Sequence, residues 1–174
     1  MKNTMKHYFD TFSTPLGDFS IALDEDNAVV ATAFGAAAGL RKRFHAGGLV
    51  RAPERARAVR SQLEQFFAGR RDRFEVALSP AGTTFQKRVW QELRRIPFGR
   101  TRSYAEVAAA VGRPSAARAV GRAIATNPVC LLVPCHRVIG ADGSLTGFAF
   151  GTSLKRRLLE HERTGHPRGA ATRS

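Results

Sequence analysis

The hydrophobic and polar positions near the start of the chain form three short runs of strand-forming residues, at 8–14, 17–24 and 28–35. The turn sequences PLG and EDN separate these runs. Strands joined by such short turns pair with their neighbours in sequence, so the pattern predicts an antiparallel meander. A fourth run of this kind, at 73–79, predicts one more strand.

The segment at 52–69 has a different pattern, because its apolar residues recur at the spacing of an amphipathic helix. They are Ala56, Val59, Leu63, Phe66 and Phe67. With the strands, this helix predicts a small α+β domain over residues 1–80. The sequence SPAGT at 79–83 has the composition of a linker to a second domain.

Helical patterns dominate after the linker. The first begins near residue 83 and carries Phe85, Val89, Trp90 and Leu93 on one face. The next begins at Ser103, an N-cap residue with Glu106 three positions later, and ends at Gly112. A third, with Pro114 near its start, extends to residue 126. The last two helices, joined by GRP, predict a helix-turn-helix.

The end of the chain combines a turn with a closing helix. Asp142 and Gly143 have the chemistry of a hairpin turn, and residues 152–163 have a helical pattern. We therefore expect a mostly helical second domain over residues 81–165. The polar segment at 166–174 is expected to be a flexible tail.

The helix predicted at 115–126 is unusually slim, because Ala117, Ala119 and other small residues make up most of it. Arg118 and Arg122 project from one face, four residues apart. A slim helix with arginines can approach a nucleic-acid backbone closely. A small-residue helix packed in a core, with its arginines in water, has the same pattern. The preceding capped helix favours DNA binding.

Charge adds a second argument for a nucleic-acid partner. The formal net charge is +14, and residues 81–174 hold 16 Lys and Arg against 5 Asp and Glu. Such a basic protein favours a polyanionic partner, and its many arginines suit phosphate contacts. An arginine-rich composition can also reflect a genome-wide bias in amino-acid usage. No apolar run is long enough for a membrane span and the N-terminus has no signal-peptide pattern, so a cytoplasmic location is expected.

The two cysteines, Cys130 and Cys135, differ in their surroundings. A disulfide framework is not expected in the cytoplasm. Cys130 lies in an apolar run, as a buried structural cysteine does. Cys135 is followed by His136 and Arg137, and a neighbouring cation lowers the pKa of a thiol, which favours a nucleophile. One nearby histidine supplies too few ligands for a structural zinc site, so no metal or cofactor is expected.

A direct contact between Cys135 and His136 has a geometric obstacle. In an extended segment, adjacent side chains point to opposite faces. Either the chain bends at this point, or a water molecule links the thiol to the imidazole. A distant acid could then orient the imidazole.

Several motifs together resemble the O6-alkylguanine-DNA alkyltransferases, the methylated-DNA–protein-cysteine methyltransferases. They are PCHRVIG at 134–140, RAVGRAIATNP at 118–128, KRRLLEHE at 155–162 and FQKRVWQELRRIPFGRTRSYAEVA at 85–108. The resemblance is dense over 83–163 and weaker over 1–80. It implies a ribonuclease-H-like first domain and a winged helix-turn-helix-like second domain. It also implies repair of double-stranded DNA carrying O6-alkylguanine, approached from the minor groove by a monomer.

The resemblance assigns the chemistry to four residues. Cys135 accepts the alkyl group irreversibly, and His136 deprotonates it through a water molecule. Glu162 orients the histidine. Helix spacing places Glu160 on the opposite face, where it is expected to pair with Arg156 or Arg163 on the surface. Tyr104 gives a hydrogen bond or a proton to the guanine ring nitrogen.

The resemblance also assigns residues that bind DNA and the flipped base. Arg118 fills the gap in the base stack. Asn127 is the hinge between the DNA-reading helix, predicted at 115–126, and the active site. The remaining candidates contact DNA or line the base pocket; they are Ser103, Ala117, Ala119, Arg122, Val138, Phe148 and Phe150. Many members have Tyr at the position of Phe148 and Trp at that of Phe150, so the tyrosyl hydroxyl is lost here.

Two other functions remain compatible with parts of the sequence. A non-catalytic helix-turn-helix regulator explains the basic helices, but it needs no Pro-Cys-His motif. A cysteine hydrolase explains the thiol and the imidazole, but it requires an oxyanion hole and leaves the basic charge without a role.

Overall fold

The computed structural model describes residues 5–44 and 48–165, so the predicted tail at 166–174 lies outside the described residues. The chain divides into two compact units, Met1–Ala81 and Gly82–Ser174. The first contains a sheet and one long helix, and the second is mostly helical. The predicted α+β fold is confirmed. No helix among the described residues is long and apolar enough to cross a membrane.

The first unit is built on a four-stranded sheet with the order β3-β2-β1-β4. Strands β1 (His7–Thr14), β2 (Gly17–Leu23) and β3 (Val29–Phe34) pair antiparallel, which confirms the predicted meander. Strand β4 (Leu49–Arg51) joins β1 in parallel and was not predicted. Its three residues are too few to show a periodic pattern.

Two helices accompany this sheet, a short α1 (Ala38–Arg41) and the predicted amphipathic helix α2 (Pro53–Phe67). Helix α2 buries Ala56, Val59, Leu63 and Phe66. The strand predicted at 73–79 is wrong, because this segment makes a single bridge, between Leu78 and Val29. The two hydrogen bonds of that bridge, from Val29 N to Ala77 O and from Ser79 N to Val29 O, do not extend into a ladder.

In the second unit, α3 (Thr84–Leu93) and α4 (Tyr104–Ala110) both begin with capping boxes, at Thr83 with Gln86 and at Ser103 with Glu106. The reading-helix candidate is α5 (Ala117–Ala125), two residues shorter at its start than predicted. Trp90 of α3 donates a buried hydrogen bond of 2.8 Å to the carbonyl of Ala123 in α5. This bond holds α5 against the core of the unit.

Two very short strands and a last helix complete the unit. Strand β5 (Arg102–Ser103) pairs in parallel with β6 (Val138–Ile139), and α6 (Thr152–Thr164) closes the chain. The turn predicted at Asp142 and Gly143 forms, and Gly140 N donates to Ser144 O across it. Strand β6 precedes this turn, but no strand follows it up to residue 165, so the hairpin itself is absent.

Candidate active site

A turn held by one amide side chain leads into the site. Asn127 is buried after α5; its Oδ1 accepts from Val129 N at 3.0 Å and its Nδ2 donates to Val133 O at 3.1 Å. Between these contacts Leu131 has a positive φ of 73°, which is uncommon for a residue other than glycine. One side chain thus fixes the path of the chain from the end of α5 to Pro134.

The chain bends at the cysteine. Residues Cys135–Arg137 form one turn of 3-10 helix, and all three side chains are buried. Successive side chains of a 3-10 helix project about 120° apart, since it has about three residues per turn. This bend removes the geometric obstacle to a contact between Cys135 and His136, because the two side chains no longer point in opposite directions.

His136 and Arg137 converge on one carboxylate of α6. Nε2 of His136 lies 2.7 Å from Oε1 of Glu162. Arg137 donates to the same carboxylate from Nε and Nη2, at 2.8 to 3.1 Å. Gly99 N adds a bond of 3.3 Å to Oε2. Since the Glu162 side chain is fully buried, these donors are what allow it to remain charged.

The protonation states follow from this network. Burial raises the pKa of Glu162, but the hydrogen bonds and charges of His136 and Arg137 outweigh it and hold that pKa at about 2. Burial lowers the pKa of His136, against the opposing influence of Glu162. At neutral pH a neutral imidazole therefore faces an ionised carboxylate, and Nε2 must carry the proton. Its Nδ1, buried with no hydrogen-bond partner among the described residues, is left as the acceptor.

The expectation that nearby cations lower the pKa of Cys135 is wrong in its net direction. Burial raises the pKa of this thiol, and the Asn127 side chain and the charge of Lys155 only partly oppose it. Arg137 is directed at Glu162 and at the carbonyl of Ile96 instead. In this state Cys135 is a protonated thiol that needs a base to become a nucleophile. His136 Nδ1 is suited to be that base.

Tyr104 is the first residue of α4. Its hydroxyl donates to Thr146 O at 2.9 Å, and a Cβ added to Gly147 would come within 2.9 Å of this oxygen. Burial, together with the negative charge of a Cys135 thiolate, raises the pKa of Tyr104. The phenol therefore keeps its proton near neutral pH and can act as a donor.

Lys155 is a member of the site that sequence reasoning missed. It is 1% exposed, and its Nζ donates to Val138 O at 2.5 Å and to Thr146 O at 3.2 Å. A signal was available, because Lys155, Leu158 and Glu162 share the buried face of α6. The ammonium group of a lysine on a buried helix face needs hydrogen-bond acceptors, and a functional site is one place where such acceptors occur.

The other predicted residues occupy varied positions. Arg118 and Arg122 are exposed on α5, and Ala117 and Ala119 are half-buried. Ser103 caps α4 through Glu106 N, and Val138 is fully buried behind the 3-10 turn. The rings of Phe148 and Phe150 meet edge to face, with centroids 5.8 Å apart. Cys130 is buried.

Glu160, the competitor of Glu162, is exposed and paired with Arg163, one of the two partners predicted for it. Glu160 is thus a surface residue of α6, whereas Glu162 is buried. Within residues 5–44 and 48–165, no group of three or more His, Cys, Asp or Glu could hold a metal ion.

Comparisons with known proteins show the family of the chain. Residues 84–164 match the family described as 6-O-methylguanine DNA methyltransferase, DNA binding domain. The chain is 43% identical over 155 residues to the methylated-DNA–protein-cysteine methyltransferase of Methanosarcina acetivorans, covering 89% of this chain and 97% of the relative. It is also 43% identical, over 164 residues, to the constitutive enzyme of that name from Bacillus subtilis, covering 92% and 98%.

Solved structures give the same result. The chain is similar to Mycobacterium tuberculosis OGT in complex with DNA, with a TM-score of 0.82 and 38% identity, over 92% of this chain and 95% of that one. It resembles the O6-methylguanine methyltransferase of the same organism with a TM-score of 0.80 and 38% identity, over the same shares of both chains.

Proposed function

Because the chain belongs to the methylated-DNA–protein-cysteine methyltransferases, we propose that its own acceptor for the alkyl group is Cys135. The protein is a DNA repair enzyme that transfers the alkyl group of O6-alkylguanine in DNA to one of its cysteines. The observation that carries the assignment to Cys135 is its place beside the buried network of His136, Glu162 and Arg137. This family assignment favours alkyl transfer over the regulator and the hydrolase.

The first step is removal of the thiol proton. His136 Nδ1 takes it through a water molecule, and the imidazolium that forms is stabilised by the Glu162 carboxylate at Nε2. Lys155 and the Asn127 amide favour the thiolate that remains. Because burial raises the pKa of Cys135 and lowers that of His136, both groups are neutral before this transfer.

The second step exchanges one bond for another. The Cys135 sulfur attacks the alkyl carbon on O6; the S–C bond forms as the C–O bond breaks, and the bond electrons move into the guanine ring. Tyr104 gives a hydrogen bond or its proton to a ring nitrogen, which stabilises the negative charge on the leaving base. The proton that Cys135 gave to His136 balances that charge, and it returns to the phenol through water if Tyr104 gives up its own. The phenol reaches the base by releasing the carbonyl of Thr146.

The product explains why each protein molecule acts once. A thioether is neutral and a poor leaving group, and the proposed mechanism provides no second nucleophile to remove the alkyl group. Incubation with excess duplex containing one O6-methylguanine tests this. The methyl transferred should equal the protein present and then stop. Continued turnover would overturn the proposal.

The base must leave the duplex to reach the buried thiol. We propose that the second unit binds double-stranded DNA from the minor groove, as a monomer. The slim face of α5 approaches the backbone, and Arg118 fills the gap left by the flipped base. Asn127 connects α5 to the site; Ser103, Ala117, Ala119 and Arg122 contact DNA; Val138, Phe148 and Phe150 line the base pocket. We place the reaction in the cytoplasm, where reductants keep thiols free.

A further inference from the structure

The pairing of β5 with β6 sets the separation of the two proposed reacting side chains. Arg102 lies opposite Val138, and Ser103 opposite Ile139. Strand β6 follows the 3-10 turn of Cys135 directly, and β5 directly precedes Tyr104. A parallel pair of two residues makes few backbone hydrogen bonds, so contacts from outside the pair must fix its geometry.

The end of α3 holds both strands of this pair. On the β6 side, Arg137 Nη1 donates to Ile96 O at 2.7 Å, just after α3 ends. On the β5 side, Arg102 Nη1 donates to Oε1 of Glu92 at 2.9 Å, in the last turn of α3. The last turn of α3 and the residues just after it are therefore bonded to the segments that carry Cys135 and Tyr104.

Glu92 is a buried acid with a specific partner. Its side chain is 11% exposed and that of Arg102 is 35% exposed, whereas its second partner, Arg95 at 3.2 Å, is 77% exposed. A mostly buried carboxylate is tolerated because it is paired, and the pair has a fixed geometry. Arg95 is too exposed to provide that fixation. The bond from Arg102 therefore anchors β5 to α3.

We propose that Glu92 is a positioning residue for alkyl transfer, which acts through Arg102 and β5 to hold Tyr104 at the correct distance from Cys135. The inference rests on the proposed roles of Cys135 and Tyr104. Glu92 itself touches neither the thiol nor the base. On this proposal, its effect on the rate passes through the phenol of Tyr104.

A double-mutant cycle tests this route. The full chain is prepared as wild type, Glu92→Gln, Tyr104→Phe and the double variant, and methyl transfer is timed on a single-stranded oligonucleotide containing O6-methylguanine. Glu92→Gln should slow transfer about tenfold, since small misplacements of a reacting group are costly. In the Tyr104→Phe background the same change should cost no more than about twofold.

Two further measurements separate positioning from loss of structure. The rate at which iodoacetamide modifies Cys135, and its pH profile, should not change in Glu92→Gln, because the His136–Glu162 pair is intact. Glu160→Gln, which removes an exposed acid of the same unit, is the matched control and should transfer at the wild-type rate. If Glu92→Gln does not fold, Arg102→Lys replaces it in the cycle, with the same expectation.

Equal losses in both Tyr104 backgrounds, or no loss from either Glu92→Gln or Arg102→Lys, would overturn the inference. If Tyr104→Phe transfers as fast as wild type, the role of Tyr104 is wrong and the inference falls with it. Methyl transfer by Cys135→Ser would instead show that the proposed function has the wrong acceptor. The failures are thus distinguishable from one another.

Discussion

The Nε2 atom of His136 lies 2.7 Å from Oε1 of Glu162, and neither side chain is exposed to solvent. The carboxylate fixes the proton on Nε2 and leaves Nδ1 free to accept the proton of Cys135. An amide in place of Glu162 could present its NH₂ group to Nε2, which would stabilise the opposite tautomer. The arrangement thus links the protonation of a fully buried carboxyl group to the reactivity of a thiol.

Glu162→Gln is expected to slow methyl transfer by roughly 100-fold, the lower end of what a general base contributes. It should also reduce the free energy of unfolding by about 3–5 kcal/mol, because Arg137 loses its buried partner. Transfer rates on folded protein and thermal unfolding measure the two effects. Glu160→Gln should leave the stability nearly unchanged, because an exposed ion pair contributes little to it. A normal rate in Glu162→Gln would show that another group activates Cys135.

The pH dependence of stability provides an independent check on Glu162. Its pKa in the folded protein is about 2, below the ordinary value of 4.5. A lowered pKa contributes stability that is present above pH 4.5 and is lost as the pH falls towards 2. The stability difference between wild type and Glu162→Gln should therefore shrink across this window, as chemical denaturation at several pH values can measure. A difference that stays constant would contradict the lowered pKa.

Lys155→Met tests how the thiolate is stabilised. The charge of Lys155 lowers the pKa of Cys135, in opposition to burial. Its removal should move the alkaline rise in the rate of iodoacetamide modification to higher pH. Arg156→Met, an exposed neighbour on α6, is the control and should leave the profile in place. Superimposable profiles for wild type and Lys155→Met would remove Lys155 from this role.

Arg118→Ala separates base flipping from chemistry. The exposed arginine on α5 should matter for a base that must leave a duplex, and much less for an unpaired base. We expect a loss of about tenfold or more on duplex DNA and a small one on a single-stranded oligonucleotide of the same sequence. Arg163→Ala, which removes an exposed cation from α6, serves as the comparison. Equal losses on both substrates would show that Arg118 does not fill the gap left by the flipped base.

The sequence was informative wherever a local pattern determines structure. The meander, the amphipathic helix α2 and the capping box at Ser103 follow from residues within a few positions of each other. The strand predicted at 73–79 does not form, although its residues favour strands, because the segment pairs with the sheet through a single bridge only. Strand formation depends on a neighbouring strand, which a local pattern cannot show.

The contact between His136 and Glu162 was predicted from the sequence, whereas the energetics of the candidate site were not. Adjacency suggested that Arg137 would act on Cys135, but the 3-10 turn directs this guanidinium to Glu162, 25 positions away. The raised pKa of the thiol results from burial, which sequence spacing does not reveal. Lys155 and Glu92 were missed because the partners that bury them, Val138, Thr146 and Arg102, lie 9 to 17 positions away in the chain.

Mass spectrometry of the protein after reaction with duplex DNA containing O6-methylguanine tests the central claim most directly. Wild type, Cys130→Ala and Cys135→Ser are incubated with excess duplex, digested and mapped. The account predicts one methyl group on Cys135 in wild type and in Cys130→Ala, and none in Cys135→Ser, whose hydroxyl stays protonated. A methyl group on Cys130, or any stoichiometric methylation of Cys135→Ser, would contradict it.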